Sequence, residues 1–440
     1  MYCSRAQSSL IRNVVMLATG GLGAMLALAV CSGQAAAQRH TIVVTAPNHS
    51  YAEVPVSVTL PAPGQFASVA LRQLDPATDV PCQFEKRDGE VMVTWILRDL
   101  PQGSSRRYEV AFSAAAPTES AAGVKLERGD DAVEVRIDGE LFTRYYYNGV
   151  PKPVLWPIIG PTGKSVTRSY PMTDALEGER SDHLHHRGLW LTHGNINGTD
   201  FWSEGNKSGR EAHRDFVQLD GGPVYGVIGT RNDWMVGEWE RQDPKTVDGV
   251  HLHTWKPVGE PRKLCEEERE IRIYRIATGR LIDYTSMIRA TGQELVFGDT
   301  KEGSFGMRLA ETMKVDAKLG GRIVNSNGQT DSDAWGKAAE WCDCYGPVDG
   351  KVVGVAILDH PTSFRHPTYW HVRTYGLFAA NPFGLHDFLR QKEHTGTHTV
   401  KPGETLTFKY RIFIHEGDTQ AARVADVYAA YADPPKVEVK

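Results

Sequence analysis

The sequence predicts an all-β protein: a small N-terminal β-sandwich, then a large antiparallel β-sandwich, closed by a C-terminal helix. Three observations carry this. Short β-branched and aromatic runs recur between turn signals from His40 onward; helical periodicity is convincing only near the end; and 440 residues exceed one ordinary domain, so two cores are expected.

Residues 1–37 read as a secretory leader. Arg5 and Arg12 make a positive start, Val14 to Val30 is an apolar run broken by glycines, and Ala35 to Ala37 supplies the small-residue cleavage pattern. A mature start near Gln38 and a periplasmic or secreted location follow. The rival lipoprotein reading at Cys31 is disfavoured because Val30 is bulky where lipid attachment wants a small residue. Residues 38–112 form the accessory sandwich, with "TIVVTA", "VPVSVTL", "FASVALRQL", "CQFEK", "VMVTWIL" and "RRYEVAF" split by "PAPG", "DPATD", "RDG" and "PQGSS". Residues 113–123, small, polar and Pro-containing, are a linker. In residues 124–433, "AVEVRI" turns at Asp138-Gly139 into "LFTRYYY", and "EREIRIYRI", "RLIDYTSMI", "VVGVAIL" and "TLTFKYRIFIH" follow as strands. The final helix takes Asp418 as N-cap, sets Ala421, Val424, Val427, Tyr428 and Tyr431 on one face, and stops at Pro434-Pro435, leaving 434–440 as a tail.

Composition excludes several functions. With 49 Lys+Arg against 54 Asp+Glu there is no basic surplus for nucleic acid. No stretch after the leader reaches the ~20 apolar residues of a membrane span. "GPTGKS" is too short for a phosphate-binding loop. Cys82, Cys265, Cys342 and Cys344 are too few for a disulfide scaffold and read as buried small residues. Nothing points to a protein partner.

Chemistry-bearing residues cluster in separated windows. "DHLHHRGLWLTHGNINGTDFW" holds His183, His185, His186, Arg187, Trp190 and His193; "FGDTKEGSFGMRLAE" holds Asp299, Lys301 and Glu302; "LDHPTSFRHPTYWHVRTYGLFAANPFG" holds His366, Trp370, His371, Arg373 and Asn381. If "HLHH" is extended, His183 and His185 face one side and His186 the other, so at most two imidazoles reach one ligand. Indole faces stack on the C–H face of a pyranose, while imidazole, carboxylate, guanidinium and amide bond its hydroxyls, so the mixture suits a carbohydrate. A divalent metal is the competing use, with His183 and His185 as candidates, but one-turn helical spacing is missing and no cofactor is expected.

These windows, with "RYYYNGVPKPVLWPIIGPTGKSVTRSYPM" and "WGKAAEWCDCYGP", resemble the secreted bacterial family labelled methane oxygenase PmoA, over roughly residues 130 to 416. Without a membrane span the chain cannot share the helical fold of a membrane monooxygenase subunit. What the resemblance implies is a galactose-mutarotase-like β-supersandwich in bacteria that degrade glycans, without assigned catalytic residues. The expected function is a carbohydrate-active enzyme that cleaves or isomerises an oligosaccharide or modified sugar. His186 or His193 serves as acid or base with Glu302 or His371 as complement; Arg187, Trp190, Asp299, Lys301, His366, Trp370, Arg373 and Asn381 bind substrate. The alternatives are a non-catalytic glycan-binding protein and a copper oxidoreductase.

Overall fold

The computed structural model describes residues 39–116 and 122–440; the expected leader, its expected cleavage site and the middle of the expected linker lie outside the described residues. The chain is predominantly antiparallel sheet, as the sequence predicts. Two sheets, of five strands and three, enclose an N-terminal core built by Ile42, Tyr51, Val58, Leu71, Trp95, Leu97, Tyr108 and Phe112. The stretch expected as a tail is a strand: Lys436–Val439 pairs with Arg39–Thr45, and Ala430 and Val437 join the N-terminal core. Its alternating Val437 and Val439 fit an edge position in that sheet.

Two eight-stranded sheets follow. The first runs, in spatial order, Trp370–Val372, Leu377–Ala380, Gly303–Arg308, Leu189–His193, Val154–Ile158, Glu140–Tyr146, Ala132–Ile137 and Val124–Arg128. The second is built around Tyr225–Arg241, Trp255–Tyr274, Arg280–Arg289 and Thr405–Glu416. One apolar cluster, including Val135, Leu191, Phe305, Phe378, Trp370, Ile282, Tyr284, Phe408 and Ile412, draws on both sheets. Cys342 and Cys344 lie in it as free thiols, two residues apart on one strand. The expected hairpin is present, with Asp138 and Gly139 both at positive φ, as a two-residue turn between twisted strands requires.

Alternation along Leu189–His193 decides what each residue can do. Leu189 and Leu191 point into the inter-sheet core, whereas Trp190 belongs to a separate cluster on the sheet's other face with Trp202, Trp156, Tyr146 and Ala379. Gly306 sits opposite Trp190, and a Cβ there would come within 2.7 Å of the indole, so only glycine admits the ring. On this outer face Trp190, Gly306, Ala379 and His371 form one cross-strand row, roughly 14 Å long at three interstrand spacings.

The last helix is shorter than expected, Val424–Ala432, because Arg423 takes a left-handed conformation immediately before it. Asp418 caps the preceding turn instead, accepting the Gln420 and Ala421 N–H groups. Val424 and Tyr428 are buried and Val427 and Tyr431 half-buried against the core, the face the spacing predicts. Between the N-terminal sandwich and the large sheets, Glu53 accepts the backbone N–H of Ala277 and Thr278, and Glu85 bonds Arg272 and Tyr225. Burial works against the Glu85 charge, yet Arg272 and Tyr225 hold its carboxyl at about 2.

Candidate functional site

The segment 181–188 is a turn, not a strand, with His183 at φ 48°. Alternation therefore does not separate its imidazoles: His183 stacks on His186 (4.7 Å between centroids), and His185 meets His183 at 5.8 Å and His186 at 4.4 Å. The expected partition of His183 and His185 against His186 is corrected. Arg168, fully buried, holds the turn. Its guanidinium donates to the carbonyls of Tyr170, Arg180, Asp182 and His183 and to Asp182 Oδ1 at 2.6 Å. Fixing backbone acceptors with one rigid donor fork is a use of arginine that lysine does not match.

Asp182 Oδ1 also accepts from Arg308 Nη2 (3.0 Å) and lies 3.2 Å from His183 Nδ1. Burial opposes its charge, but Arg308, His183 and Arg168 keep the carboxyl below its usual range. A carboxylate only accepts, so it is a proton on His183 Nδ1 that faces Asp182. The ring is 40 % exposed. On one side it lies flat on Tyr375 (5.5 Å, 12°). On the other lies His186, itself stacked on Trp190 (5.3 Å).

His186 is one layer down, 1 % exposed. Arg308 Nη1 donates to its Nδ1 at 3.1 Å, and a guanidinium has no lone pair to offer, so the imidazole is neutral with its proton on Nε2. Burial, then His185 and Arg308, push its pKa well below the ordinary histidine value. The same arrangement recurs at the far end of the row. The Trp335 indole donates to His371 Nδ1 at 2.9 Å, and burial, Arg373 and Lys301 lower the His371 pKa to about 3. As the structure stands, neither ring can act as the proton acceptor expected of it; both brace the groups above them.

Between these ends runs a ladder of planar groups. Arg308 lies 4.8 Å from the Tyr375 centroid, and Arg373 lies between Tyr375 (5.6 Å) and Trp335 (5.7 Å). Lys301 and Glu302 pair at the rim (3.6 Å), both about 40 % exposed, with Asp387 3.8 Å from the Lys301 ammonium. They are close enough for Lys301 to act on His371 and Glu302 on Tyr375, whose phenol is raised first by burial. Parts of three sequence windows thus meet on one face: His183 to His186, Lys301 to Glu302, and His371 to Tyr375.

Other expected site residues lie elsewhere. His193 points to the inner face, where Phe297 and Phe383 enclose it and its nitrogens meet the Gly298 carbonyl (2.7 Å) and Ser304 Oγ (3.3 Å); burial lowers its pKa to about 4. Arg187 is buried in an ion pair with Glu204, which Lys152 shares. Asp299 accepts the His386 and Gly396 N–H groups, and Asn381 bonds the Thr300 and Lys301 carbonyls; both shape the rim turn from below. His366 bonds Asp359 at 2.9 Å. Trp370 is an inter-sheet core residue whose indole donates to the Ala339 carbonyl. Trp190 is the floor under His186, fully buried, not an exposed platform. His185 is half-buried, its pKa lowered to about 3 by burial and Lys152. Among the described residues no group of three or more His, Cys, Asp or Glu side chains is placed to hold a metal ion, so His183 and His185 are not completed as the expected ligand set.

Sequence reasoning missed Arg308, Tyr375 and the pairing of Asp182 with His183. The signal was present for Tyr375: an aromatic between Arg373 and Gly376, in a turn where Gly376 takes φ 97°.

Residues 132–429 match the model of a family described as "Family of unknown function (DUF6807)", close to the span over which the motif resemblance runs. No curated protein matches the chain. Among solved structures, an alpha-mannosidase from Enterococcus faecalis V583 aligns with a TM-score of 0.41 at 10% identity, covering 91% of this chain and 46% of that one. A protein in the Glycosyl Hydrolase Family 38 from Enterococcus faecalis aligns with a TM-score of 0.39 at 10% identity, covering 91% and 47%. The chain spans less than half the length of either.

Proposed function

The chain belongs to the family of unknown function DUF6807, and from that premise we propose that it is a carbohydrate-active enzyme working by acid/base chemistry on the outer face of its first large sheet. The observation that carries the reading is the exposed His183 ring, with Asp182 Oδ1 3.2 Å from its Nδ1, beside the ladder Tyr375, Arg373 and Trp335. A carboxylate that fixes an imidazole tautomer is the usual way a histidine is set up as a base. The aromatic and guanidinium groups of Tyr375, Arg373 and Trp335, none of them fully buried, offer a sugar apolar and hydrogen-bonding contacts above the buried row.

In this reading His183 Nε2 takes a proton from substrate, and Tyr375, kept protonated by burial, hands one to the departing or rearranging oxygen. Glu302 stands beside Tyr375 as its charged neighbour. Asp182 is committed to two arginines and so is not free as one of the two carboxyls that hydrolysis requires. Proton abstraction by His183 is the first step of an elimination or an isomerisation. The secretory pattern expected of residues 1–37 goes with a place in the periplasm or outside the cell.

The test is His183→Gln and His183→Ala assayed against a panel of plant and algal oligosaccharides, with unsaturated products followed by ultraviolet absorbance and isomers by chromatography. Both variants are expected to lose at least about a hundredfold in turnover, the usual worth of a general base, while melting near the wild-type temperature. Wild-type turnover in both variants refutes the assignment. A purely glycan-binding role is the second reading, favoured by the ladder itself, which needs no proton transfer; it is adopted if wild-type protein binds glycans and releases no product.

A further inference from the structure

We propose that the sugar carries an anionic oxygen substituent, a carboxylate or sulfate ester, and that Arg373 is its anchor; this rests on the sugar-binding reading above. Arg373 is half-buried, its guanidinium carbon 5.7 Å from the Trp335 ring centroid and 5.6 Å from that of Tyr375. Among the described residues its guanidinium has no ion pair and no side-chain hydrogen bond, although Arg168, Arg187, Arg269, Arg272, Arg308 and Arg411 all have both or share a carboxylate. Five N–H donors, removed in part from water and bonded to no side chain or carbonyl among the described residues, are free to take an oxyanion. Cation–π contacts with the two rings use none of the N–H donors, and a guanidinium can present two of them together to one oxyanion.

The surrounding charges point the same way. Arg168 and Arg308 share the single carboxylate of Asp182, and Arg308 also lies 4.8 Å from the Tyr375 centroid. Nearby carboxylates are already taken: Glu302 and Asp387 lie on Lys301, and Glu311 bonds Lys314. An anion at Arg373 also suits the proposed chemistry. A carboxylate held there, next to the carbon that loses its proton, has its developing negative charge stabilised by the same guanidinium, with the electron pair moving onto the carboxylate oxygens and the proton onto His183 Nε2.

The experiment is calorimetric binding of the full chain to hexuronate oligosaccharides and their methyl esters, and to sulfated and desulfated galactan oligosaccharides, for wild type, Arg373→Met and Arg373→Lys. One charged member is expected to bind at least about tenfold tighter than its neutral counterpart, the difference vanishing in Arg373→Met and surviving in part in Arg373→Lys. The uronate and sulfate arms identify the anion. Equal binding of charged and neutral forms overturns the anchor and leaves the sugar reading standing. Binding of free acetate or sulfate at Arg373 with no binding of any sugar overturns the sugar reading and leaves the oxyanion site. If Arg373→Met does not fold, loss of the bidentate advantage in Arg373→Lys decides the matter, and an undiminished advantage there overturns the anchor.

Discussion

Two arginines of this protein live in opposite circumstances. Arg269, in the core between the large sheets, is 2 % exposed; it donates through Nε and Nη2 to Glu267, and through Nη2 to Glu211 at 2.9 Å. Glu267 takes further hydrogen bonds from Ser286, Trp234 and Asn232, and burial raises the Glu211 carboxyl to about 8, so one charge faces one counter-charge. Arg373, on the outer face, has no side-chain hydrogen bond or ion pair among the described residues, only the two ring contacts. The difference teaches how to separate structural from functional charge here. A buried cation that the protein has fully matched holds the sheets together, and a half-buried one left unmatched is kept for a ligand.

The comparison can be broken at either end. The largest effect is expected from Glu267→Ala, which strands Arg269 in the core and lowers unfolding free energy by about 3–5 kcal/mol in urea titrations. A loss under about 1 kcal/mol would mean that water reaches the pair and that the contrast is false. Next comes pH. His193 on the inner face and His371 on the outer stay neutral down to about 4 and about 3, whereas an unfolded histidine takes its proton near pH 6.5. Between those values the unfolded state binds more protons, so stability falls as pH drops. The two together should cost about 2 kcal/mol from about pH 7 to about pH 5.5, half of it removed in His193→Phe. A flat profile contradicts the burial of both rings.

Arg168→Met comes third: releasing the turn at 180–183 should cost about 1–2 kcal/mol in stability and abolish turnover with that of His183 variants. The smallest effect is reserved for Arg373→Met, which should leave stability within about 1 kcal/mol, since only ring contacts are lost, while ligand affinity falls.

The all-β class, the hairpin at Asp138-Gly139 and the burial of Cys265, Cys342 and Cys344, though not of the half-buried Cys82, are legible because each rests on local pattern: β-branched runs, a turn dipeptide, alternation. The helix start was misplaced because Asp418 has the chemistry to cap either a turn or a helix, and Arg423 gives no sequence sign of its left-handed backbone. In the site, residue type alone could not separate Asp299 and Asn381, which clamp backbone, from Asp182, which orients an imidazole; each uses the same acceptors. "HLHH" was misjudged through assuming an extended strand, where Arg168 from a distant loop imposes a turn. His183 accordingly moves from a metal candidate to the proposed base, and His193 from base to inner-face packing.

The most direct measurement is the nitrogen NMR spectrum of histidine-labelled protein during titration with the hexuronate oligosaccharides. The account predicts that His183 Nε2 shifts most, that His186 and His371 follow with their Nε2–H tautomers retained, and that His193 and His366 stay still. A spectrum in which His183 is unmoved at saturation, or in which His193 responds before it, contradicts a site on the outer face.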